Sequence, residues 1–289
     1  YPAGNSTVYK ASNTRIVKKP GSESQYYIFY SAHVLNKSGY FYAIVDMAKN
    51  GGKGKVIKKK QQLNVPNPGL LGIVRHNNNK DFWLIITNYN YNVYNNEFYA
   101  LPVTAKGIGK PVISRLSSNF KFLGNIYGDK IHTTQNGEYL LLAGEFLKTY
   151  NGNRGSVGLR YPFNNKTGKV KVGKHRDALL KFKQINPNWT GSGTPAIFGI
   201  ETSPNNKYIY LIVEYDNSSL KKKVKIFQVR NQANQPYQSA IEIGKFTNFW
   251  DLQLAPNDKI YIGKWSANQS YSHLGAIQQP NVRGKGCNV

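Results

Sequence analysis

The segment Ser203–Leu211, with the sequence SPNNKYIYL, joins a polar turn to a strand of aromatic and β-branched residues. Pro presets the backbone angle φ of a turn, and Asn tolerates the left-handed conformation, so this composition is typical of a tight turn that enters a β-strand. The same pattern occurs four more times, at Pro20–Phe29, Asn78–Ile85, Gln135–Leu142 and Ala255–Ile262. Five copies of one unit predict a repeat protein.

A second hairpin follows each copy, and two hairpins make four strands. A repeat of about 50 to 60 residues with four strands is typical of a propeller blade. The predicted fold class is therefore all-β: a β-propeller of four-stranded antiparallel blades, with about five blades visible. We predict one propeller domain over residues 1–289, which we expect to be part of a longer chain, with approximate blades at 11–62, 70–116, 122–176, 196–246 and 249–289.

Composition agrees with a folded β-protein. The 289 residues include 21 Tyr, 13 Phe and 4 Trp, which is enough aromatic material for a sizeable core. Apolar runs such as Tyr208–Val213 and Tyr139–Ala143 are far shorter than the roughly 18 residues of a membrane-spanning helix, so no membrane span is predicted. The first ten residues of the sequence, Tyr1–Lys10, contain neither an initiating Met nor an apolar signal region. We therefore expect any targeting segment to have been removed already.

Charge is the strongest departure from an ordinary composition. The chain has 39 Lys and Arg against 14 Asp and Glu, which gives a formal charge of +25. Such a field attracts nucleic acid, acidic polysaccharide or anionic lipid. The single cysteine, Cys287, cannot form a disulfide or a thiolate metal cluster within this chain.

Three basic clusters are the predicted polyanion-binding residues. Each lies at or near the second hairpin of a blade, which is its outer edge in a propeller, so we expect a basic rim. An alternative for some of these lysines is protection of exposed edge strands against pairing with another sheet. The predicted contacts are Lys58, Lys59, Lys60, Arg154, Arg160, Lys166, Lys169, Lys171, Lys174, Arg176, Lys181, Lys183, Lys221, Lys222 and Lys223.

Catalytic patterns are weak in this sequence. The five histidines, at positions 33, 76, 132, 175 and 273, are scattered, and no HExxH pair occurs. Glu201 with Glu214 or Asp251 could supply a carboxylate pair near a propeller axis, but sequence does not show proximity, and surface or turn roles are preferred. We therefore predict no enzyme activity, no catalytic residues, no metal site and no cofactor.

Several segments resemble a known family, the extracytoplasmic β-propellers of bacteria with type IX secretion and gliding machinery. The matching segments are Tyr26–Phe29, Ala43–Met47, Asn50–Gly54, Arg75–Asn77, Asp81–Trp83, Asn96–Ala100, Phe198–Asn205, Leu252–Tyr261, Leu274–Ile277, Pro280–Asn281 and Gly286–Asn288. The resemblance implies the propeller fold and export without a known catalytic centre. Family members usually have a further strand-rich segment upstream, often with a second cysteine, and lack this positive charge. Cys287 is therefore expected to be a buried free thiol or to have lost its partner.

The function predicted from these features is that of a secreted, non-catalytic propeller. It would bind an extracellular polyanion through its basic rims without sequence specificity, with DNA as the first candidate and acidic polysaccharide as the second. The alternative is a protein-interaction or scaffold module of a secretion, adhesion or gliding apparatus, with acidic surface proteins as partners. The predicted location is extracellular or at the cell surface, and copies could assemble along a polymer.

Overall fold

The computed structural model describes residues 12–34, 37–66, 68–88, 97–115, 131–146, 156–171, 177–185, 197–216, 223–264 and 274–289. These residues form five antiparallel β-sheets and three short helical turns, at Phe182–Ile185, Pro236–Ser239 and Gly284–Cys287. The fold is a β-propeller whose blades are the five sheets, which confirms the predicted fold class.

The first two sheets follow the chain from one strand to its neighbour. The first contains β1 (Ser12–Lys18), β2 (Gln25–Val34), β3 (Lys37–Asp46) and β4 (Lys55–Gln62) in that order. The second contains β5 (Pro68–Arg75), β6 (Phe82–Asn88), β7 (Glu97–Thr104) and β8 (Gly107–Ile108), and β9 (Val112–Arg115) also pairs with β7. This topology is the double hairpin that the repeats predict.

The third and fourth sheets have the same strand order, and the fifth has three strands in the described part of the chain. The third contains β10 (Ile131–Thr133), β11 (Tyr139–Phe146), β12 (Ser156–Asn164) and β13 (Lys169–Val170), with β14 (Asp177–Lys181) beside β12. The fourth contains β15 (Ile197–Thr202), β16 (Tyr208–Asp216), β17 (Lys223–Arg230) and β18 (Ile241–Thr247). The fifth contains β19 (Phe249–Leu254), β20 (Ile260–Lys264) and β21 (Gly275–Ile277).

The chain divides into two compact units. Unit 1 comprises residues 1–116 and 164–170, and unit 2 comprises residues 117–163 and 171–289. The core of unit 1 includes Phe29, Leu84 and Ile86, all fully buried. One buried cluster of unit 2 joins Tyr210 and Ile212 of β16 to Phe249 and Leu252 of β19. The alternation of strand residues thus buries apolar side chains on both faces of the fourth sheet.

The polar turns have the backbone geometry that their sequences predict. In four of them the N–H of the fourth residue donates to the carbonyl of the first, at 2.8–3.1 Å, and the fourth residue has a φ of 58–68°. Asn, Gly and Asp are the residues that adopt such a φ most easily, which explains their recurrence. The four donor and acceptor pairs are Asn79 with His76, Gly137 with Thr134, Asn206 with Ser203, and Asp258 with Ala255.

The same turns connect neighbouring parts of unit 2. Asn136 N donates to Asn206 Oδ1 at 3.3 Å, and Asn205 N donates to Asn281 Oδ1 at 3.1 Å. The Asn side chains therefore satisfy backbone donors as well as shaping the turns. This supports the structural role that the sequence predicts for these motifs.

Cys287 lies in the last helical turn and is a buried free thiol, which is one of the two predicted alternatives. Burial raises the pKa of this thiol. Among the described residues, none of the helices has the length and hydropathy that crossing a membrane requires.

Candidate functional site

Two aromatic residues occupy irregular positions at the starts of β15 and β19. In β15, Ile197 pairs with Val213 and Gly199 pairs with Ile212, so Phe198 is the extra residue of a register shift. In β19 the corresponding shift falls between Phe249, which pairs with Lys264, and Asp251, which pairs with Gly263. The extra residue there is Trp250. A β-bulge bends its strand and redirects a side chain, and bulges are common next to binding sites.

The two extra residues stack on each other. The ring centroids of Phe198 and Trp250 lie 4.2 Å apart, and the ring planes differ by 13°. Trp250 is 41% exposed, whereas Phe198 is partly buried against the core cluster of unit 2. The phenyl ring of Phe198 therefore covers one face of the partly exposed Trp250 indole. We call this pair the Phe198–Trp250 platform.

Gly199 allows the two strands to approach closely enough for this stack. A Cβ atom on Gly199 would lie 2.9 Å from Leu252 N and 3.1 Å from Asp251 Cα. Real Cβ atoms are essentially never found closer than 3.0 Å to such an atom, so a side chain would force the backbones apart. The close approach of the two strands therefore requires glycine at position 199.

A second aromatic pair supports the start of β19. Phe249 and Phe246 stack with centroids 4.8 Å apart and planes 17° from parallel. Lys264 Nζ lies 5.6 Å from the centroid of Phe249, within the range of a cation–π contact. Phe249 is buried while its neighbour Trp250 is exposed, so β19 is anchored on one side and presents the indole on the other.

Carboxylates are concentrated on the strands of this region. Of the 14 acidic residues in the chain, four lie on β15, β16 and β19, namely Glu201, Glu214, Asp216 and Asp251. Glu214 is buried and follows the alternation of Tyr210 and Ile212, so it lies on the face of β16 that packs against the fifth sheet. A chain with a charge of +25 thus has acidic residues on the two strands that carry its platform and on the neighbouring β16.

Glu201 and Asp251 are held by backbone donors. Glu201 Oε1 accepts a hydrogen bond from Thr202 N at 2.8 Å, and Glu201 Oε2 accepts one from Leu254 N at 3.0 Å. This carboxylate therefore ties β15 to β19. Asp251 Oδ1 accepts a hydrogen bond from Leu252 N at 2.9 Å, and the side chain is half-buried beside Trp250.

The predicted polyanion contacts have several different positions. Lys58, Lys59 and Lys60 are exposed on β4, an edge strand on which every residue is exposed, a position compatible with polymer contact and with edge protection. Lys166, Lys169 and Lys171 are exposed around β13, and Lys169 Nζ donates to Ile113 O at 3.2 Å. Lys181 ends β14, Lys183 lies in the short helix, and Lys223 begins β17. The predicted contacts that lie outside the described residues are Arg154, Lys174, Arg176, Lys221 and Lys222.

Arg160 corrects the predicted contact set. Its side chain is 4% exposed, and its guanidinium donates to Asn231 Oδ1 at 3.5 Å and to Ala233 O at 3.1 Å. It also lies 4.4 Å from the centroid of the Tyr139 ring. Because Arg160 is buried and bonded within unit 2, it does not contact a polymer in solution.

The histidines do not assemble a metal centre in the described part of the chain. His76 stacks on Trp83 with ring centroids 5.4 Å apart, and its Nδ1 accepts a hydrogen bond from Asn78 N at 3.0 Å. No group of three or more His, Cys, Asp or Glu side chains that could hold a metal ion occurs among the residues that the structure describes.

Comparison with known proteins gives matches to structures only. No protein-family model matches the chain, and a search of curated proteins finds no match. An endo-arabinase from Bacteroides thetaiotaomicron has a TM-score of 0.51 at 12% identity, and the match covers 91% of this chain and 92% of that one. An exo-β-1,3-galactanase from Phanerochaete chrysosporium has a TM-score of 0.46 at 10% identity, covering 87% of this chain and 55% of that one. A puromycin hydrolase has a TM-score of 0.41 at 11% identity, covering 88% and 34%.

These findings correct the function predicted from charge. The predicted non-catalytic polyanion binder, with an interaction module as its alternative, is wrong, because a solved structure that shares this fold over 91% of the chain is that of an endo-arabinase. Within this chain, the reason is that net charge does not locate a site: Arg160 is buried, and a carboxylate, Asp251, directly follows Trp250 in spite of the positive net charge. At this identity the match to the endo-arabinase shows a shared fold and nothing more.

Sequence analysis did not single out Phe198 and Trp250. A signal was nevertheless present, because Phe198 stands five residues before Ser203 and Trp250 stands five residues before Ala255, the first residues of two repeated turns. Aligning the repeats on their turns places an aromatic residue at the same position in both. Stacking between those positions requires the bulges and the close approach at Gly199.

Proposed function

We propose that this protein binds a glycan by stacking a sugar ring on the Phe198–Trp250 platform. The observation that carries the proposal is the partly exposed indole of Trp250, which is held flat against Phe198 at 4.2 Å. A sugar ring has an apolar face of C–H groups and a rim of hydroxyls. A flat aromatic surface covers that face and removes apolar area from water, at about 25 cal/mol per Å².

The neighbouring carboxylate supports a glycan over other flat ligands. Asp251 follows Trp250 directly, and its Oδ1 is fixed by Leu252 N. An ionised carboxylate accepts hydrogen bonds only, and it can accept two hydroxyl donors from the rim of a sugar. A nucleotide would instead bring phosphates close to the negative charge of Asp251. The aromatic surface of Trp250 and the hydroxyl-accepting carboxylate of Asp251 together favour a sugar over a nucleotide as the ligand.

The rigidity of the platform favours binding. Its rings are stacked before any ligand arrives, and the close approach at Gly199 fixes the two strands that carry them. A preformed surface loses less conformational freedom on binding than a flexible one. The proposal rests on these residues, and the endo-arabinase contributes the fold alone.

The test is a binding titration with neutral arabino- and galacto-oligosaccharides, using the wild type, Trp250→Ala and Ile16→Ala. Ile16 is 63% exposed and belongs to unit 1, whereas the platform belongs to unit 2, so Ile16→Ala removes exposed apolar surface that is not part of the platform. We expect Trp250→Ala to weaken binding by about tenfold, the factor that corresponds to about 1.4 kcal/mol, and Ile16→Ala to leave it unchanged. Equal affinities for all three proteins, or no binding to the wild type, would overturn the proposal.

Cleavage of the bound oligosaccharide is measured in the same samples by analysing the sugar products. Glycoside hydrolysis uses two carboxyl groups that flank the scissile bond. Both carboxylate oxygens of Glu201 accept backbone N–H donors, so this side chain is assigned to holding β15 and β19 together. The proposal is accordingly one of glycan recognition.

A further inference from the structure

We infer that the platform selects neutral sugar units against uronic acids, and that Asp251 is the residue that determines this selectivity. The inference rests on the proposed function and names the substrate class of the same site. It follows from the sign of the charge beside Trp250, which is opposite to that of the chain as a whole.

The position of Asp251 fixes a negative charge next to the stacking surface. Asp251 directly follows Trp250, and the hydrogen bond from Leu252 N holds one carboxylate oxygen at 2.9 Å. Close approach of the Gly199 backbone to Asp251 Cα restricts this segment further. A sugar ring stacked on the indole therefore has its substituents near a carboxylate that is held in place.

Other acids on these strands add to the negative potential. Glu201 and Glu214 are buried on β15 and β16, and Glu214 lies on the face that packs against the fifth sheet. Two lysines of the same sheets contact other groups, and one of these groups is Phe249, the residue directly before Trp250. Lys225 Nζ contacts Glu242 Oε2 at 3.1 Å and donates to Ile185 O at 2.8 Å, and Lys264 lies over the Phe249 ring.

Distance determines which charge a bound sugar experiences. At physiological salt, interactions between exposed charges are largely screened beyond about 8 Å, so those lysines of a +25 chain that lie farther away than this contribute little at the platform. A charge within a few ångströms is screened much less. A neutral hydroxymethyl group at that position donates a hydrogen bond to Asp251, whereas a uronic carboxylate meets like charge.

The test compares a neutral galacto-oligosaccharide with an oligogalacturonide of the same length at 150 mM salt. Calorimetric titrations use the wild type, Asp251→Asn and Asp258→Asn, and Trp250→Ala gives the background of binding elsewhere on this basic protein. Asp258→Asn is the matched control, because it removes the same charge at the turn that follows β19, and Asn tolerates the φ of 60° found there.

We expect the wild type and Asp258→Asn to prefer the neutral ligand at the platform by at least about tenfold, and Asp251→Asn to reduce that preference to about threefold or less. The reduction should come from tighter binding of the acidic ligand. Equal affinity of the wild type for both ligands, or an unchanged preference in Asp251→Asn, would overturn the inference while leaving glycan binding intact. If the wild type binds neither ligand above the Trp250→Ala background, the proposed function itself fails.

Discussion

The rings of Phe198 and Trp250 are stacked 4.2 Å apart, although they belong to the first strands of two different sheets. Each ring is placed by a register shift in its own strand, and the strands meet at Gly199. The stack therefore depends on backbone geometry as well as on the two side chains.

Gly199→Ala tests the role of the close approach. The added Cβ would lie 2.9 Å from Leu252 N, so β15 and β19 must separate. We expect a loss of about 1 to 3 kcal/mol in the free energy of unfolding, measured with urea, and weaker glycan binding. Gly263→Ala is the matched control, because its Cβ would meet Asp251 Cβ at an ordinary 3.8 Å. Equal stabilities of the two variants would contradict this account.

Glu201→Gln tests the carboxylate that joins β15 to β19. The two oxygens of Glu201 accept Thr202 N and Leu254 N, and an amide would present its NH₂ group to one of these donors. We expect a destabilisation of about 1 to 3 kcal/mol in urea unfolding. The control is Glu23→Gln, because that side chain is 99% exposed and such substitutions usually change stability by less than about 0.5 kcal/mol. A Glu201→Gln protein as stable as this control would show that the link is unimportant.

Glu97 should make the stability of unit 1 depend on acid pH. A hydrogen bond from the Tyr99 hydroxyl, assisted by Arg115, lowers the pKa of Glu97 from its ordinary 4.5. A carboxyl whose pKa is lower in the folded state stabilises the fold above its unfolded pKa and loses that effect as the pH falls through the folded value. The unfolding free energy should therefore decline below about pH 4.5, and less steeply in Glu97→Gln. Identical slopes in the two proteins would count against this role.

Cys287 should be protected from thiol reagents in the native state. The side chain is fully buried, and burial raises its pKa, so little reactive thiolate forms at neutral pH. We expect labelling to be slow in buffer and rapid in denaturing urea, with a labelling rate that rises with the fraction unfolded. Rapid labelling of the folded protein would contradict the buried position.

The sequence predicts the fold well because its turns carry local information. Asn79, Gly137, Asn206 and Asp258 adopt the left-handed φ for which their residue types are suited, so each turn can be recognised without knowledge of the rest of the chain. Strand pairing within a sheet then follows from neighbouring segments. The single domain over residues 1–289, the bacterial family, export and assembly along a polymer are not tested by these observations and stay predictions.

The site could not be predicted in the same way. A bulge interrupts the alternation of strand residues, so neither Phe198 nor Trp250 stands out from the many aromatic residues that fill the core. The predicted polyanion contacts were wrong at Arg160 for a related reason. The basic segment around Arg160 predicts an exposed side chain, but the fold buries it against Asn231. Burial depends on contacts between sheets, which the local sequence does not specify.

The most direct test of glycan recognition is a crystal structure of the protein with a neutral oligosaccharide. We predict one sugar ring parallel to the Trp250 indole at about 4 Å, the distance of optimal carbon contacts, with a hydroxyl within hydrogen-bonding distance of Asp251. Density for the sugar at another surface, with the indole uncovered, would contradict the account.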